Sequence, residues 1–239
     1  MKMIKMMSAV IVMAISMTGF AQTKKVAVVT FYADKQVGLS DVGLGAVSLA
    51  TDLTNDPNFN LQPLIQQFHD KFFNEYAKKF PFELEAEATV IGKPEYQSFT
   101  PEYEKGFEAT RYVTAPGYKA ITPNYGKANT QAMTKLFAEY DGVMYVFLTF
   151  ELTKGFGVGG TASTKMRAYT NIVLYNKKGE KVFTINENAN SKKTGMMVGG
   201  MPVMKTDKIL PMCESALTEL MADLDKRIQK IIDKSAKKL

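Results

Sequence analysis

Cysteine, histidine and long apolar runs are scarce in this 239-residue chain, and each shortage excludes a class of protein. The single cysteine, Cys213, cannot form an intramolecular disulfide, so the fold must depend on its hydrophobic core. The single histidine, His69, would have to be the base of any Ser-His-Asp or Cys-His mechanism, and it leaves a zinc site short of ligands. The longest apolar run, residues 6–17, is shorter than the roughly 20 residues of a membrane-spanning helix.

That apolar run has the features of an export signal. Two lysines precede it, and the small-x-small pattern of residues 19–21 follows it. We therefore predict a signal peptide over residues 1–21 and a single α/β domain over residues 22–239, located in the periplasm or secreted. Removal of the two lysines lowers the formal charge from +6 to +4 (6 − 2), and this modest, dispersed surplus does not indicate a nucleic-acid partner.

Hydrophobic periodicity predicts a mixed α/β fold with a single mixed β-sheet, helices packed on it, a late antiparallel meander and a long C-terminal helix. Strands are predicted over residues 26–31, 82–90, 143–152, 165–175 and 181–188, and helices over residues 61–76, 130–140 and 210–235, with a short helix beginning at Thr100-Pro101. Cys213 lies on the apolar stripe of the last helix, which predicts a small buried hydrophobe; a reactive thiol or an intermolecular disulfide is the alternative.

Several sequence motifs resemble ligand-binding sites but lack a feature that such sites need. Residues 155–160 match G-x-G-x-x-G, but the following segment has the pattern of a strand, so the helix that would hold a pyrophosphate is missing. Residues 52–58 resemble a calcium loop but have proline where glycine is needed. The glutamates that alternate along residues 83–87 are predicted to be solvated surface, and His69 is predicted to cover the core from a helix edge rather than act as a base.

Residues 92–127 are irregular and rich in aromatic side chains. Tyrosine buries a large area and keeps a hydroxyl group for hydrogen bonding, which suits protein or glycan partners. The alternative is that these rings pack over the sheet as a lid. We predict a partner site formed by the exposed tyrosines and a methionine-rich loop, chosen from Tyr96, Tyr103, Tyr112, Tyr118, Tyr125, Met196, Met197, Met201 and Met204. The thioethers could instead bind Cu(I).

The end of the last predicted helix has six basic and two acidic residues over residues 225–238, a surplus of four charges (6 − 2). Such a surplus enriches a protein near an anionic membrane, but it does not anchor the protein without an apolar insertion.

Three segments resemble a family of envelope domains: residues 25–31 (KVAVVTF), 136–143 (LFAEYDGV) and 173–183 (VLYNKKGEKVF). The family includes the curli-secretion channel subunit, the lipoprotein activators of penicillin-binding proteins and the N-terminal domain of the Tol-system propeller protein. The resemblance implies a non-enzymatic α/β sandwich that assembles with other envelope proteins. Many of these relatives have a lipid-bearing cysteine at the cleavage point, where this chain has Gln22, so lipid anchoring is not expected.

We therefore expect an exported, non-catalytic envelope protein that acts as an interaction or assembly module without a cofactor. Its partner is expected to be an envelope protein or a glycan, with peripheral membrane contact at most, and homo-oligomerisation stays open. Two other functions remain: a hydrolase of envelope polymers, and a carrier of a small ligand or copper.

Overall fold

The computed structural model describes residues 24–40, 53, 56–123, 127–158, 160–199, 201–203 and 205–235. The predicted signal peptide, residues 52, 54 and 55 of the calcium-like segment, Tyr125 and Met204 lie outside the described residues. The elements, in chain order, are β1 (Lys25–Asp34), β2 (Gly38–Ser40), α1 (Gln62–Lys71) continued by a π-helical turn (Phe72–Tyr76) and a 3₁₀ turn (Ala77–Lys79), β3 (Glu83–Leu84), α2 (Glu87–Ile91), α3 (Pro94–Ser98), a 3₁₀ turn (Ala109–Arg111), β4 (Tyr112–Thr114), α4 (Ala128–Leu136), β5 (Gly142–Val158), β6 (Thr161–Asn176), β7 (Lys181–Val198), β8 (Met201–Pro202), a 3₁₀ turn (Thr206–Lys208) and α5 (Ile209–Ser235).

The described strands form one mixed sheet, which confirms the predicted fold class. The strand order is β3-β1-β5-β6-β7-β8. β1 runs parallel to β5, and β2 continues along β5 beyond the end of β1. The short strands β3 and β4 share the outer edge of β1, β3 at its start and β4 at its end. β5, β6 and β7 form the predicted antiparallel meander.

One face of the sheet, here called the core face, is buried along its whole length. α1 and α5 pack on it, and alternate residues of β6 from Ala162 to Leu174 are buried there. α5 contributes the predicted apolar stripe, including Cys213, which is fully buried; burial also raises the pKa of its thiol far above the usual range. No helix among the described residues is long and apolar enough to cross a membrane.

The opposite face, here called the open face, is covered only in part. A second apolar cluster brings Val90, Tyr96 and Met133, from α2, α3 and α4, against Tyr145 and Val173 of the meander. Beyond that cluster the alternate side chains of β6 and β7 are half-buried or exposed. These open-face residues are Ser163, Lys165, Arg167, Tyr169 and Asn171 of β6 and Asn186, Asn188 and Asn190 of β7.

The predicted strand over residues 82–90 is wrong. Only Glu83 and Leu84 pair with β1, and residues 87–91 form α2 instead. Farther along that edge of β1, the Tyr96 hydroxyl donates a hydrogen bond to the Val29 carbonyl, and β4 pairs with the last three residues. Two of the glutamates in this segment were predicted to be solvated but have partners instead. Glu85 forms a salt bridge with Lys25 at 2.8 Å, and Glu87 contacts His69.

The helix predicted at Thr100-Pro101 is also misplaced. The helix in this region is α3, which has Pro94 in its first turn, so Pro101 follows the end of a helix rather than starting one. α4 begins two residues earlier and ends four residues earlier than the predicted range of 130–140.

The glycine motif joins two strands, as its sequence context predicted. β5 and β6 extend to residues 158 and 161, well past the predicted ends. A Cβ atom on Gly157 would lie 2.5 Å from the Cβ atom of Ala162, so only glycine permits this close approach of the strands. Gly160 has a φ of +83°, which suits a turn.

Candidate functional site

Two of the predicted partner-binding tyrosines are buried, so the expectation of exposed rings is wrong for them. The Tyr96 hydroxyl donates a hydrogen bond to the Val29 carbonyl at 3.0 Å and accepts one from the Lys119 N–H at 2.9 Å. Burial raises the pKa of Tyr96 to about 12. A bulge in β1 between Val28 and Thr30 interrupts strand pairing at Val29, and Tyr96 satisfies its carbonyl. Tyr96 therefore packs on the sheet, as the lid alternative proposed.

Tyr118 is the second buried ring. Its hydroxyl donates a hydrogen bond to Glu87 Oε1 at 3.0 Å, and burial raises the pKa of this tyrosine far above its usual range. A partner cannot reach Tyr96 or Tyr118 without opening the core.

Tyr103 and Tyr112 are half-buried and lie together. Their rings stack with centroids 5.7 Å apart, and Tyr112 meets Tyr32 of β1 edge-on at 5.1 Å. Tyr32 in turn stacks on Phe147 of β5 at 5.5 Å. Tyr32, Tyr112 and Phe147 form one wall of an open pocket of about 230 Å³, here called the aromatic pocket, and Tyr103 stacks on the Tyr112 ring of this wall. Its lining consists of Tyr32, Asp34, Glu104, Phe107, Tyr112, Thr122, Phe147 and Thr149.

An ion pair fixes the outer wall of the aromatic pocket. Arg111 Nε lies 2.9 Å from each carboxylate oxygen of Asp34, and its Nη2 lies 2.5 Å from Oδ2. The Lys35 N–H donates to the Arg111 carbonyl at 3.0 Å, and the Gln36 N–H donates to Asp34 at 2.8 Å. The Arg111 guanidinium also covers the ring of Phe107 at 3.9 Å. The end of β1 thus orders the segment that carries Phe107 and Tyr112.

Polar rows of the open face continue from the aromatic pocket. Strand register places Phe147, Asn171 and Asn186 in one row, Thr149, Tyr169 and Asn188 in the next, and Glu151, Arg167 and Asn190 in a third. Asn171 donates a hydrogen bond to Asn186, while Arg167 lies 3.4 Å from Glu151 and 3.3 Å from Asn190. Sequence reasoning did not include these residues, although the polar alternation of β6 was visible.

Where the structure describes it, the methionine-rich segment belongs to the paired strands β7 and β8 rather than to the predicted loop. Met196 and Met197 are neighbours at the end of β7, and their side chains point to opposite faces: Met197 is buried and Met196 is exposed. Met201 lies in β8, opposite Val198. Because the thioethers of Met196 and Met197 diverge, these two cannot bind the same copper ion. The described residues also contain no group of three or more His, Cys, Asp or Glu residues that could hold a metal.

His69 lies at the edge of α1 and links it to α2, close to its predicted position over the core. Its Nε2 atom is 2.6 Å from Glu87 Oε1, and its Nδ1 atom is 3.2 Å from Asp70 Oδ1. The ring packs against Phe73 at 4.8 Å and Phe31 at 5.1 Å. Burial acts to lower the pKa of His69, but the hydrogen bonds to Glu87 and Asp70 outweigh it, so the pKa is raised.

Replacement of His69 by Gln should therefore destabilise the protein in a pH-dependent way. Because the folded-state pKa is raised, the stabilisation by protonated His69 is fully present below about pH 6.5 and is lost as the pH rises through the folded-state pKa. We expect a loss of about 1 kcal/mol at pH 5.5 and a smaller loss at pH 8.5, measured by urea unfolding. A loss that is equal at both pH values would contradict the contacts described.

Comparisons with known proteins do not assign a family. No family model matches the chain, and no curated protein matches it. Among solved structures, a neuraminyllactose-binding hemagglutinin homolog from Helicobacter pylori is similar with a TM-score of 0.36 and 7% identity, covering 89% of each chain. The lipoprotein GNA1162 from Neisseria meningitidis is similar with a TM-score of 0.25 and 11% identity, covering 84% of this chain and 99% of the other. Scores this low establish neither a shared fold nor a shared function.

Proposed function

We propose that this protein is an exported, non-catalytic binding module of the cell envelope, and that it binds an envelope glycan through the aromatic pocket and the open face. The observation that carries this proposal is the open face itself. No described element covers its polar rows, and they lead without interruption into a pocket walled by Tyr112 and Phe147. The predicted signal peptide supports export.

The chemistry of the open face favours a glycan over a protein ligand. Protein interfaces usually have an apolar centre, whereas the rows beside the pocket present amide, hydroxyl and guanidinium groups, at Asn188, Tyr169 and Arg167 for example. Such groups donate and accept hydrogen bonds to sugar hydroxyls, and an aromatic ring packs against the apolar C–H face of a sugar ring. Along β5 the three polar rows extend from Phe147 to Glu151, roughly 13 Å, and a polymer can lie along them.

The geometry around His69 supports a non-catalytic role. Both ring nitrogens lie within hydrogen-bond distance of carboxylates, so both are already engaged, and the contact with Glu87 joins α1 to α2. The aromatic pocket contains two carboxylates, and one of them, Asp34, is already paired with Arg111.

Co-sedimentation with purified insoluble envelope polysaccharide tests this proposal. We expect the Tyr103→Ala and Asn188→Ala variants to bind about tenfold more weakly than the unmodified chain, a loss of about 1.4 kcal/mol each. Tyr103→Ala removes the ring that stacks on Tyr112 of the pocket wall, and Asn188→Ala removes a hydrogen-bonding group of the open face. Asn74→Ala is the matched control, because Asn74 is an exposed asparagine on the π-helical turn that packs on the core face. Its binding should equal that of the unmodified chain, and thermal unfolding should show that all three variants are folded.

The other outcomes of this experiment would either contradict the glycan proposal or favour another function. Equal binding by all variants, or no binding by the unmodified chain, would contradict the glycan proposal. Release of soluble sugar fragments would favour a hydrolase of envelope polymers. Capture of an envelope protein that is lost on Tyr103→Ala, with no polysaccharide bound, would indicate a protein partner on the same surface.

A further inference from the structure

Exposed apolar side chains gather at one end of the sheet. Six large hydrophobic residues are exposed among the described residues, and five of them lie where β5, β6, β7 and β8 meet. These five are Phe156 (84% exposed), Val158 (73%), Met196 (54%), Val203 (54%) and Val198 (44%). We call the described residues of the ranges 154–165 and 192–208, which contain them, the arm tip; residues 159, 200 and 204 lie outside the described residues. Exposed apolar groups that cluster in this way mark an interaction surface.

Strand register places several of these side chains on one face. Val158 lies opposite Thr161, and Thr161 lies opposite Val198, so all three belong to a single row of the open face. Met196 lies two residues before Val198, and its carbonyl accepts a hydrogen bond from the Val203 N–H at 2.9 Å. The apolar side chains therefore form a shallow patch rather than a spanning segment.

The arm tip is also strongly basic. It contains six lysines and one acidic residue, Asp207, which gives a formal charge of +5 (6 − 1) against +6 for the whole chain. One of the lysines, Lys192, forms a salt bridge at 2.7 Å with Glu219 of α5, which offsets a single charge. A local surplus of positive charge thus surrounds the exposed apolar patch of the arm tip.

The combination of exposed apolar side chains and excess lysine favours one kind of binding partner for the arm tip. A second copy of the arm tip would bring together two surfaces of charge +5, and their repulsion opposes self-association. Protein interfaces are depleted of lysine at their centre. An anionic bilayer, in contrast, attracts lysines through its headgroups and accepts apolar side chains at the boundary with the acyl chains. We propose that the arm tip docks this protein on the surface of an anionic phospholipid bilayer, with Phe156 and Val158 inserted shallowly.

The basic end of α5 does not take part in this docking. Ser215, near the start of α5, accepts hydrogen bonds from the Lys192 and Lys193 N–H groups beside the arm tip, whereas Arg227 contacts Glu187, farther back along β7. α5 therefore runs away from the arm tip. The membrane contact envisaged from the sequence for the C-terminal lysines lacked an apolar insertion, and the arm tip supplies one at the other end of the molecule.

A unique tryptophan can report the docking, because the chain contains none. Phe156→Trp should show a blue-shifted emission when vesicles of phosphatidylglycerol and phosphatidylcholine are added, and no shift with pure phosphatidylcholine. Phe107→Trp is the matched control: Phe107 is the sixth exposed large hydrophobic residue and lies at the aromatic pocket, so its emission should not change. Lys154→Gln and Lys165→Gln, introduced into the Phe156→Trp chain, should each lower the vesicle partition constant about fivefold.

Three results would overturn the proposal. They are an unchanged emission of the folded Phe156→Trp chain with anionic vesicles, an equal response to neutral vesicles, and a blue shift that grows with protein concentration in the absence of lipid. The last would indicate a second copy as the occupant. Glycan binding does not enter this measurement, and Tyr103→Ala should leave vesicle binding unchanged.

Discussion

Replacing Asp34 with Ala is expected to lower the free energy of unfolding by about 3 kcal/mol, because it leaves the Arg111 guanidinium without its partner in a largely buried place. The side chains of Asp34 and Arg111 are only 12% and 21% exposed. The substitution also removes the acceptor of the Gln36 N–H. Since Arg111 precedes β4 directly and covers Phe107, the wall of the aromatic pocket should loosen as well.

Urea unfolding and ligand binding together check this result. The matched control is Glu75→Ala, which breaks the exposed pair of Lys71 and Glu75 and should change stability by less than about 0.5 kcal/mol. If Asp34→Ala lowers the free energy of unfolding no more than Glu75→Ala does, the ion pair does not order this end of β1.

Replacing Phe31 with Ala should be still more damaging, with a loss of about 4 kcal/mol. Phe31 is fully buried on the core face, and its ring lies within 6.3 Å, centroid to centroid, of the rings of Phe68, His69, Phe72, Phe73 and Tyr118. Truncation leaves a cavity between β1 and α1 that these rings cannot fill without leaving their own contacts. Phe31→Leu should lose less, because it retains most of the apolar volume.

Thermal and urea unfolding of both Phe31 variants measures the effect, and Phe156→Ala serves as the control. Phe156 is exposed, so its truncation should leave stability nearly unchanged. A loss below about 1 kcal/mol for Phe31→Ala would show that the core does not depend on this ring.

The sequence predicts the fold well where a side-chain pattern is repeated over many residues. The apolar stripe of α5 and the alternation in β6 each persist for more than ten residues, so burial alone defines the element. Residues 82–90 alternate just as regularly and yet form two strand residues and a short helix. Their conformation depends on groups from later in the chain that take the same edge of β1. These are the Tyr96 hydroxyl at Val29, the Ala115 N–H at Phe31, and β4 at the end of the strand.

The candidate site was only partly predictable for a similar reason. Composition drew attention to the tyrosines of residues 92–127, but it could not separate Tyr96, which is buried under a bulge of β1, from Tyr103 and Tyr112. Whether a tyrosine is buried depends here on which backbone groups the sheet leaves without a hydrogen-bond partner. The contributions of Tyr32 and Phe147 come from strands whose pairing brings distant residues together. The sequence shows that polar residues alternate along β6. It does not show that no described helix covers them.

Site-specific photo-crosslinking in intact cells tests most directly whether the open face is the binding surface. A photoreactive amino acid at position 188, in the middle of the open face, is compared with one at position 67, where Gln67 is exposed on α1 over the core face. The account predicts crosslinks to envelope material from position 188 and none from position 67. Crosslinks from position 67 alone, or from neither position in a folded and exported chain, would contradict it.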